Sequence, residues 1–177
     1  LPDGSVLRPV DEAEVGRLCA EMAPAGPEAF AICLLHSYAN PAHERRVGEW
    51  IRRAFPGLPV SLSAEVVPEY REFERFSTTV LNAYIQPLMG RYLEALEREL
   101  VASGYRTGVL TVGSSGGALT VETARRLPIK TVFSGPAGGV SQAVFVGRRI
   151  GLADLITYDM GGTSTDVCLV RDLSPAI

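Results

Sequence analysis

The stretch Ile156-Thr-Tyr-Asp159-Met-Gly161-Gly162-Thr163-Ser164-Thr165-Asp166-Val-Cys-Leu-Val170 decides how this chain reads. Two short β-prone runs flank a Gly-Gly-Thr-Ser-Thr turn, with an aspartate on each side. The pattern is that of a β-hairpin built to hold phosphate. Gly161 and Gly162 let backbone N–H groups approach an anion with no Cβ in the way. The hydroxyls of Thr163, Ser164 and Thr165 can add hydrogen bonds to phosphate oxygens. Asp159, at the end of the first strand, suits a magnesium ion held through water, because Mg²⁺ prefers carboxylate oxygens and keeps much of its hydration. The same string also reads as an ordinary Gly-Gly hairpin turn with polar decoration. The whole Asp-x-Gly-Gly-Thr-x-Thr-Asp spacing favours phosphate over that bland alternative.

Upstream, Ser134-Gly135-Pro136-Ala137-Gly138-Gly139 opens a helix reaching about Ile150. Its small residues permit close packing on a neighbour, or direct contact of the helix N-terminus with phosphate; both readings stay open. Before it, Gly108–Val112 reads as a strand running into Gly113-Ser114-Ser115-Gly116-Gly117, a loop of the kind that lies against ligands at a strand's C-terminal end. A short helix (Val121 to Leu127) and a strand (Ile129 to Phe133) complete this half.

The first half reads as a βαβ unit. A helix from Asp11 to about Met22 precedes the apolar run Ala29–Leu35, which suits a buried parallel strand. A helix from Asn40-Pro41 to about Phe55 and a strand Pro59–Ser63 follow. Glu65 to Arg75 could line a cleft, but its charge pattern favours a solvated, ion-paired approach to the longest helix. That helix spans about Ser77 to Ser103, capped by its Ser/Thr cluster, kinked at Pro87 and ended by Gly104; it is roughly 40 Å long at ~1.5 Å per residue.

Composition limits the function classes. The 177 residues are 46% hydrophobic and 21% charged with net charge −3, which gives no electrostatic footprint for nucleic acid or an anionic membrane. No apolar run is long enough to span a bilayer. Cys19, Cys33 and Cys168 form no Cys-x-x-Cys pair, so neither a disulfide framework nor a zinc site is expected and a reducing cytoplasm is the natural location. His36 and His43 have no carboxylate at metal-ligand spacing and read as core or surface residues. Leu1 is not an initiator and the chain stops just after a strand, so it reads as a piece of something longer.

The order of strand, short helix, strand, small-residue helix and Gly-Gly-Thr hairpin resembles the join between the two halves of actin-like ATPases, a superfamily that includes sugar kinases and heat-shock chaperones. More closely, the chain resembles the hydantoinase A / 5-oxoprolinase family, which includes acetone carboxylase β-type subunits. The strings that carry this are Glu74-Arg75-Phe-Ser-Thr-Thr-Val-Leu-Asn-Ala-Tyr84, Phe133-Ser-Gly-Pro-Ala-Gly-Gly-Val140 and Asp159-Met-Gly-Gly-Thr-Ser-Thr-Asp-Val167, with Cys33-Leu-Leu-His-Ser-Tyr-Ala-Asn-Pro-Ala-His-Glu-Arg-Arg46. One departure is plain: Ser114-Ser115-Gly116-Gly117 stands where the family usually has Ser-Asn-Gly-Gly.

The resemblance implies part of an α/β, actin-like (ribonuclease H-like) ATPase fold. Residues 1–75 would be the C-terminal part of the family's N-terminal region, and residues 76–177 the start of the hydantoinase A domain with its second phosphate loop. It implies ATP and Mg²⁺ as cofactors, with ATP activating the carbonyl of a cyclic amide for ring opening. Gly161, Gly162, Thr163, Ser164 and Thr165, with Gly135, Gly138 and Gly139, would hold nucleotide. Asp159 would organise the metal, and Asp166 would brace the hairpin or contact metal-bound water. Ser114, Ser115, Gly116 and Gly117 would face substrate. A hydantoinase B-type large subunit, separate or fused, would be the partner. The first phosphate loop would lie upstream of Leu1 and the adenosine-binding half downstream of Ile177. Two rivals share the motifs: an acetone- or acetophenone-carboxylase-type subunit, and a non-enzymatic actin-like ATP-binding protein.

Overall fold

The computed structural model describes residues 1–176 and divides them into two compact units. One comprises Leu1–Tyr105 with Arg125–Ile129; the other comprises Arg106–Ala124 with the chain from Lys130 onward.

The first unit is a small α/β/α layer. Helix α1 (Glu12–Met22) starts where the Asp11 carboxylate accepts the N–H groups of Ala13 (2.7 Å) and Glu14 (3.1 Å). Strand β1 (Phe30–Ile32), helix α2 (Ala42–Ala54) and strand β2 (Val60–Leu62) form the βαβ unit, with β1 and β2 parallel and Ala31 opposite Ser61. Strand alternation sends Phe30, Ile32 and Leu62 to one face, where they pack with Cys19 of α1 and Ile51 of α2. Each such apolar side chain contributes about 1.5–3 kcal/mol when buried. The closest approach is at Gly48 of α2, where an added Cβ would lie 2.9 Å from Leu62.

β1 is shorter than the apolar run from which it is read. Beyond Cys33 the chain turns away, because the Leu34 N–H is taken by the Glu44 carboxylate at 2.7 Å and His36 adopts φ 58°.

After a short turn of helix α3 (Ser63–Val66), α4 (Glu72–Ala102) lies on the other face of the sheet and runs 31 residues through Pro87. It begins at Glu72, five residues before the position read from the Ser/Thr cluster, and its N-cap residue Arg71 gives no side-chain cap. Ser77 to Thr79 are therefore inside the helix, and the Thr79 hydroxyl bonds back to the Arg75 carbonyl at 2.6 Å. Arg75 is fully buried, which corrects its reading as a solvated charge. It donates to the carbonyls of Glu69 (2.9 Å) and Leu34 (3.0 Å) and lies over the Tyr38 and Phe76 rings. Gly104 (φ 91°) ends α4 in a Schellman turn, with Gly104 N–H on Val101 O and Tyr105 N–H on Leu100 O, both 3.0 Å.

Buried Asn82 of α4 explains a second correction. Its amide donates to Ser61 Oγ and the Arg126 carbonyl, and its oxygen accepts the Ile129 N–H at 3.2 Å. With that N–H engaged and Pro128 lacking one, Pro128–Thr131 forms a 3₁₀ turn in place of the strand read at Ile129–Phe133.

In the second unit, β3 (Leu110–Val112) pairs antiparallel with β4 (Ala118–Thr120), a strand absent from the sequence reading. Residues Gly113 to Gly117 thus close a hairpin, through Gly113 N–H on Gly117 O (2.7 Å) and a left-handed Gly116 (φ 81°). Helix α5 (Val121–Arg126) follows, then α6 (Ser134–Ile150), which stops at Gly151 (φ 77°). The chain then turns back into β5 (Leu155–Met160), antiparallel to β6 (Thr165–Arg171), with β7 (Ser174–Pro175) on the far edge of β6. β5 packs on α6 at Gly147, where a Cβ would come within 2.7 Å of Leu155 Cδ1 and of the Leu152 carbonyl oxygen.

Candidate functional site

The β5–β6 register places Asp159 opposite Asp166 and Met160 opposite Thr165, and the turn is closed by Gly161 N–H on Ser164 O at 2.9 Å. Directly opposed residues of an antiparallel pair share a face, with Cβ atoms about 4.5–5.5 Å apart. Alternation puts both aspartates on the face that also carries Leu155, Thr157, Cys168 and fully buried Val170, the face toward α6. Like charges so placed repel. Among the described residues no arginine or lysine forms an ion pair with either carboxylate. The pair is therefore suited to a cation.

The two aspartates, with Thr157 and Cys168, line a groove of about 590 Å³ whose other wall is α6, including Pro136, Gly139 and Val140. The start of α6 and the Gly-Gly-Thr turn therefore lie at the same end of this layer. The α6 N-terminus has no side-chain cap at Phe133, which leaves first-turn N–H groups without the usual acceptor. A Cβ built on Gly135, Gly138 or Gly139 meets nothing within 4 Å. Of the two readings for these glycines, close packing finds no neighbour among the described residues, and open space at a helix N-terminus is what an anion needs. Gly161 to Thr165 are exposed.

The Ser114–Gly117 loop anchors this frame. Ser114 Oγ accepts the Phe133 N–H at 3.0 Å, Ser114 N–H donates to Lys130 O at 2.6 Å, and Ser141 Oγ of α6 donates to Gly116 O at 3.3 Å. Ser115 and Gly117 are exposed. The sequence reading missed Ser141 and Thr157. Thr157 was within reach of it, because it sits two residues before Asp159 on a strand and so shares its face.

No group of three or more His, Cys, Asp or Glu residues able to hold a metal occurs among the described residues. Two carboxylates suffice for Mg²⁺, which takes its remaining ligands from water and phosphate oxygens. The residues present fit such an ion, and the open glycine turn beside the uncapped helix fits phosphate.

The family model for hydantoinase/oxoprolinase matches residues 75–177, and that for the hydantoinase/oxoprolinase N-terminal region matches residues 1–55. The chain belongs to the hydantoinase/oxoprolinase family. Among relatives of this family member, caprolactamase subunit alpha of Pseudomonas jessenii is 36% identical over 171 residues, covering 97% of this chain and 25% of that protein. The 5-oxoprolinase of Saccharomyces cerevisiae is 36% identical over 173 residues, covering 94% and 13% respectively. The acetone carboxylase beta subunit of Xanthobacter autotrophicus is 31% identical over 171 residues, covering 94% and 24%. Among solved structures, the ATP-dependent caprolactamase of Pseudomonas jessenii superposes with a TM-score of 0.86 at 36% identity, covering 94% of this chain and 24% of that one. Nucleotide-free acetone carboxylase gives 0.79 at 28% identity, covering 95% and 24%. This hydantoinase/oxoprolinase chain therefore has the α/β architecture of that part of the fold, and spans about a quarter or less of the length of these relatives. No helix among its described residues is long and apolar enough to cross a membrane.

Proposed function

We propose that this chain is the phosphate-gripping portion of an ATP-dependent cyclic-amide hydrolase of the hydantoinase/5-oxoprolinase type. The observation that carries the reading is the same-face pair Asp159 and Asp166 beneath a Gly-Gly-Thr turn, at the end of the groove where α6 begins uncapped. Backbone N–H groups of Gly161 and Gly162 and the Thr163, Ser164 and Thr165 hydroxyls orient phosphate oxygens. The start of α6 adds its positive dipole end, and Gly135, Gly138 and Gly139 leave room for approach. Asp159 would hold Mg²⁺, and Asp166 would brace the hairpin or contact metal-bound water. When bound, ATP would supply the phosphoryl group that makes the oxygen of a poorly electrophilic amide carbonyl into a leaving group. Work of this kind is positioning and charge neutralisation, and no protein nucleophile is assigned. The Ser115–Gly117 segment, with Ser115 and Gly117 exposed, is the proposed substrate-facing edge, with Ser114 holding it in place.

Two relatives, an ATP-dependent caprolactamase and a 5-oxoprolinase, are named for amide substrates, which supports ring opening. Relatives named as alpha, beta and gamma subunits support a large-subunit partner. The proposed domain division is residues 1–75 and 76–177, and the free cysteines suit a reducing cytoplasm. A carboxylase-type reaction is the second reading, favoured by the acetophenone carboxylase gamma subunit of Aromatoleum aromaticum, which is 36% identical, level with the amide hydrolases. ADP release by the full-length protein with its partner separates them. Stimulation by 5-oxoproline, hydantoins or lactams supports ring opening, and stimulation by ketones with bicarbonate selects the carboxylase reading. Turnover indifferent to both classes defeats the enzyme assignment.

A further inference from the structure

The turn between β3 and β4 contains Gly113, Gly116 and Gly117, so only Ser114 and Ser115 bring side chains to it. Two separate contacts tie it to α6. Ser114 is fixed at the entry to the helix: its N–H donates to Lys130 O at 2.6 Å, and its Oγ accepts the N–H of Phe133, the N-cap residue, at 3.0 Å. The tip is fixed about two turns further along, where Ser141 Oγ donates to Gly116 O at 3.3 Å. Gly116 is left-handed (φ 81°), and a Cβ on it would lie 2.8 Å from Ser141 Oγ and 3.8 Å from Ala137 O. Ala137 and Ser141 are one turn apart and share a face of α6. A serine inside a helix often turns its hydroxyl back to the carbonyl four residues earlier, here Ala137 O. Ser141 gives its proton to the loop instead. Pro136, Gly139, Val140 and Gly147 lie on a different face of α6, toward the strands that carry Asp159 and Asp166. The helix therefore meets the loop on one side and the phosphate hairpin on another, within a single compact unit.

We infer that Ser141 is a positioning residue: it clips the loop tip to α6, so that nucleotide bound at the start of this helix steadies the proposed substrate-facing edge at Ser115. The inference rests on the reading of α6 and the hairpin as the phosphate site. Phosphate on the first-turn N–H groups orders the start of α6. The helix is one continuous run from Ser134 to Ile150, so that order reaches both anchor points. Ser115, exposed between the anchors, is then held in one place when nucleotide is present. Without the Ser141 hydroxyl the tip keeps its internal bond, Gly116 N–H to Gly113 O at 2.9 Å, but is no longer tied to the helix beyond Ser114. By linkage, a molecule that binds the steadied edge tightens nucleotide binding by the same factor.

The test uses the full-length protein, the magnesium complex of the non-hydrolysable ATP analogue AMP-PNP, and hydrogen exchange across residues 113–118 read by mass spectrometry. In the wild type, saturating nucleotide should slow exchange of this loop about tenfold or more. In Ser141→Ala the slowing should drop below about threefold, while calorimetry shows nucleotide affinity within about twofold of wild type. Ser141 is exposed and alanine is the better helix former, so the variant keeps its fold. A hydroxyl serving loop stability alone would speed exchange equally with and without nucleotide and leave the slowing intact. Slowing of about threefold or more in Ser141→Ala would therefore overturn the inference. So would a larger loss of nucleotide affinity in the variant, or a wild-type loop whose exchange ignores bound nucleotide. Failure of the wild type to bind the analogue at all would instead defeat the phosphate reading, and this inference with it.

Discussion

Replacing Glu44 with alanine removes the polar hub of the first unit. Glu44 is 0% exposed and accepts three donors: Leu34 N–H at 2.7 Å and Ser63 Oγ–H at 2.6 Å on Oε1, and Ala64 N–H at 2.9 Å on Oε2. These tie the C-terminal ends of β1 and β2 to α2. After truncation the Ser63 hydroxyl can turn to Ser37 Oγ, 3.0 Å away, but the two backbone N–H groups are stranded. Each stranded donor costs about 1–3 kcal/mol. Relief of the buried carboxylate's desolvation offsets part of this, so the net loss is about 3 kcal/mol, a large share of the 5–15 kcal/mol by which domains are stable. Glu44→Gln keeps an oxygen on Leu34 and Ser63 and loses only Ala64, where two donors then face each other; its loss is about 1.5 kcal/mol. Urea unfolding followed by Trp50 fluorescence is the assay, since Trp50 is the single tryptophan and is buried on the same helix. An alanine variant within about 0.5 kcal/mol of wild type, or a glutamine variant as unstable as alanine, would refute the hub argument.

Gly139→Ala should leave stability unchanged or raise it by about 0.5–1 kcal/mol, because the site is helical and a Cβ there meets nothing within 4 Å. Nucleotide affinity of the full-length protein, read by calorimetry, should nonetheless fall; equal affinity would separate α6 from the nucleotide. Burial pushes the Cys33 thiol above its ordinary range and the Glu44 carboxylate adds to this, while a hydrogen bond with Thr79 and the Arg75 charge oppose it. Cys33 should therefore alkylate more slowly than a free cysteine between pH 7 and 9. The neutral thiol belongs to the folded state, so its contribution to stability is full below the ordinary thiol value and is lost as pH rises through the raised one. Alkylation at the rate of a free cysteine, or stability that increases over that upper range, would count against this burial.

Much of this was legible because local chemistry agreed with the final fold. Gly161 and Gly162 between two β-prone runs specified the hairpin with an aspartate on each side, while the direct pairing of Asp159 with Asp166 emerged only from the strand register. The βαβ unit followed from apolar runs of strand length separated by an amphipathic helix. Two of the failures share a cause in long-range polar contacts. Arg75 looks solvated in a run of charges, yet carbonyls of Leu34 and Glu69 and the rings of Tyr38 and Phe76 enclose it. Ile129–Phe133 has strand composition, but Asn82, distant in sequence, takes the Ile129 N–H. β4 was hidden because Ala118-Leu119-Thr120 is too short to show a period, and its partner strand alone defines it.

The phosphate-hairpin assignment stands or falls on Asp159→Ala in the full-length protein. Asp159 is exposed, has no ion-pair partner among the described residues and faces Asp166, so removing it relieves repulsion and should leave thermal unfolding unchanged or slightly later. ATP turnover at saturating substrate should fall by at least about 100-fold, as loss of the metal-holding carboxylate demands. A variant that unfolds as late as wild type and hydrolyses ATP at the wild-type rate would contradict the assignment of this hairpin to phosphate and metal.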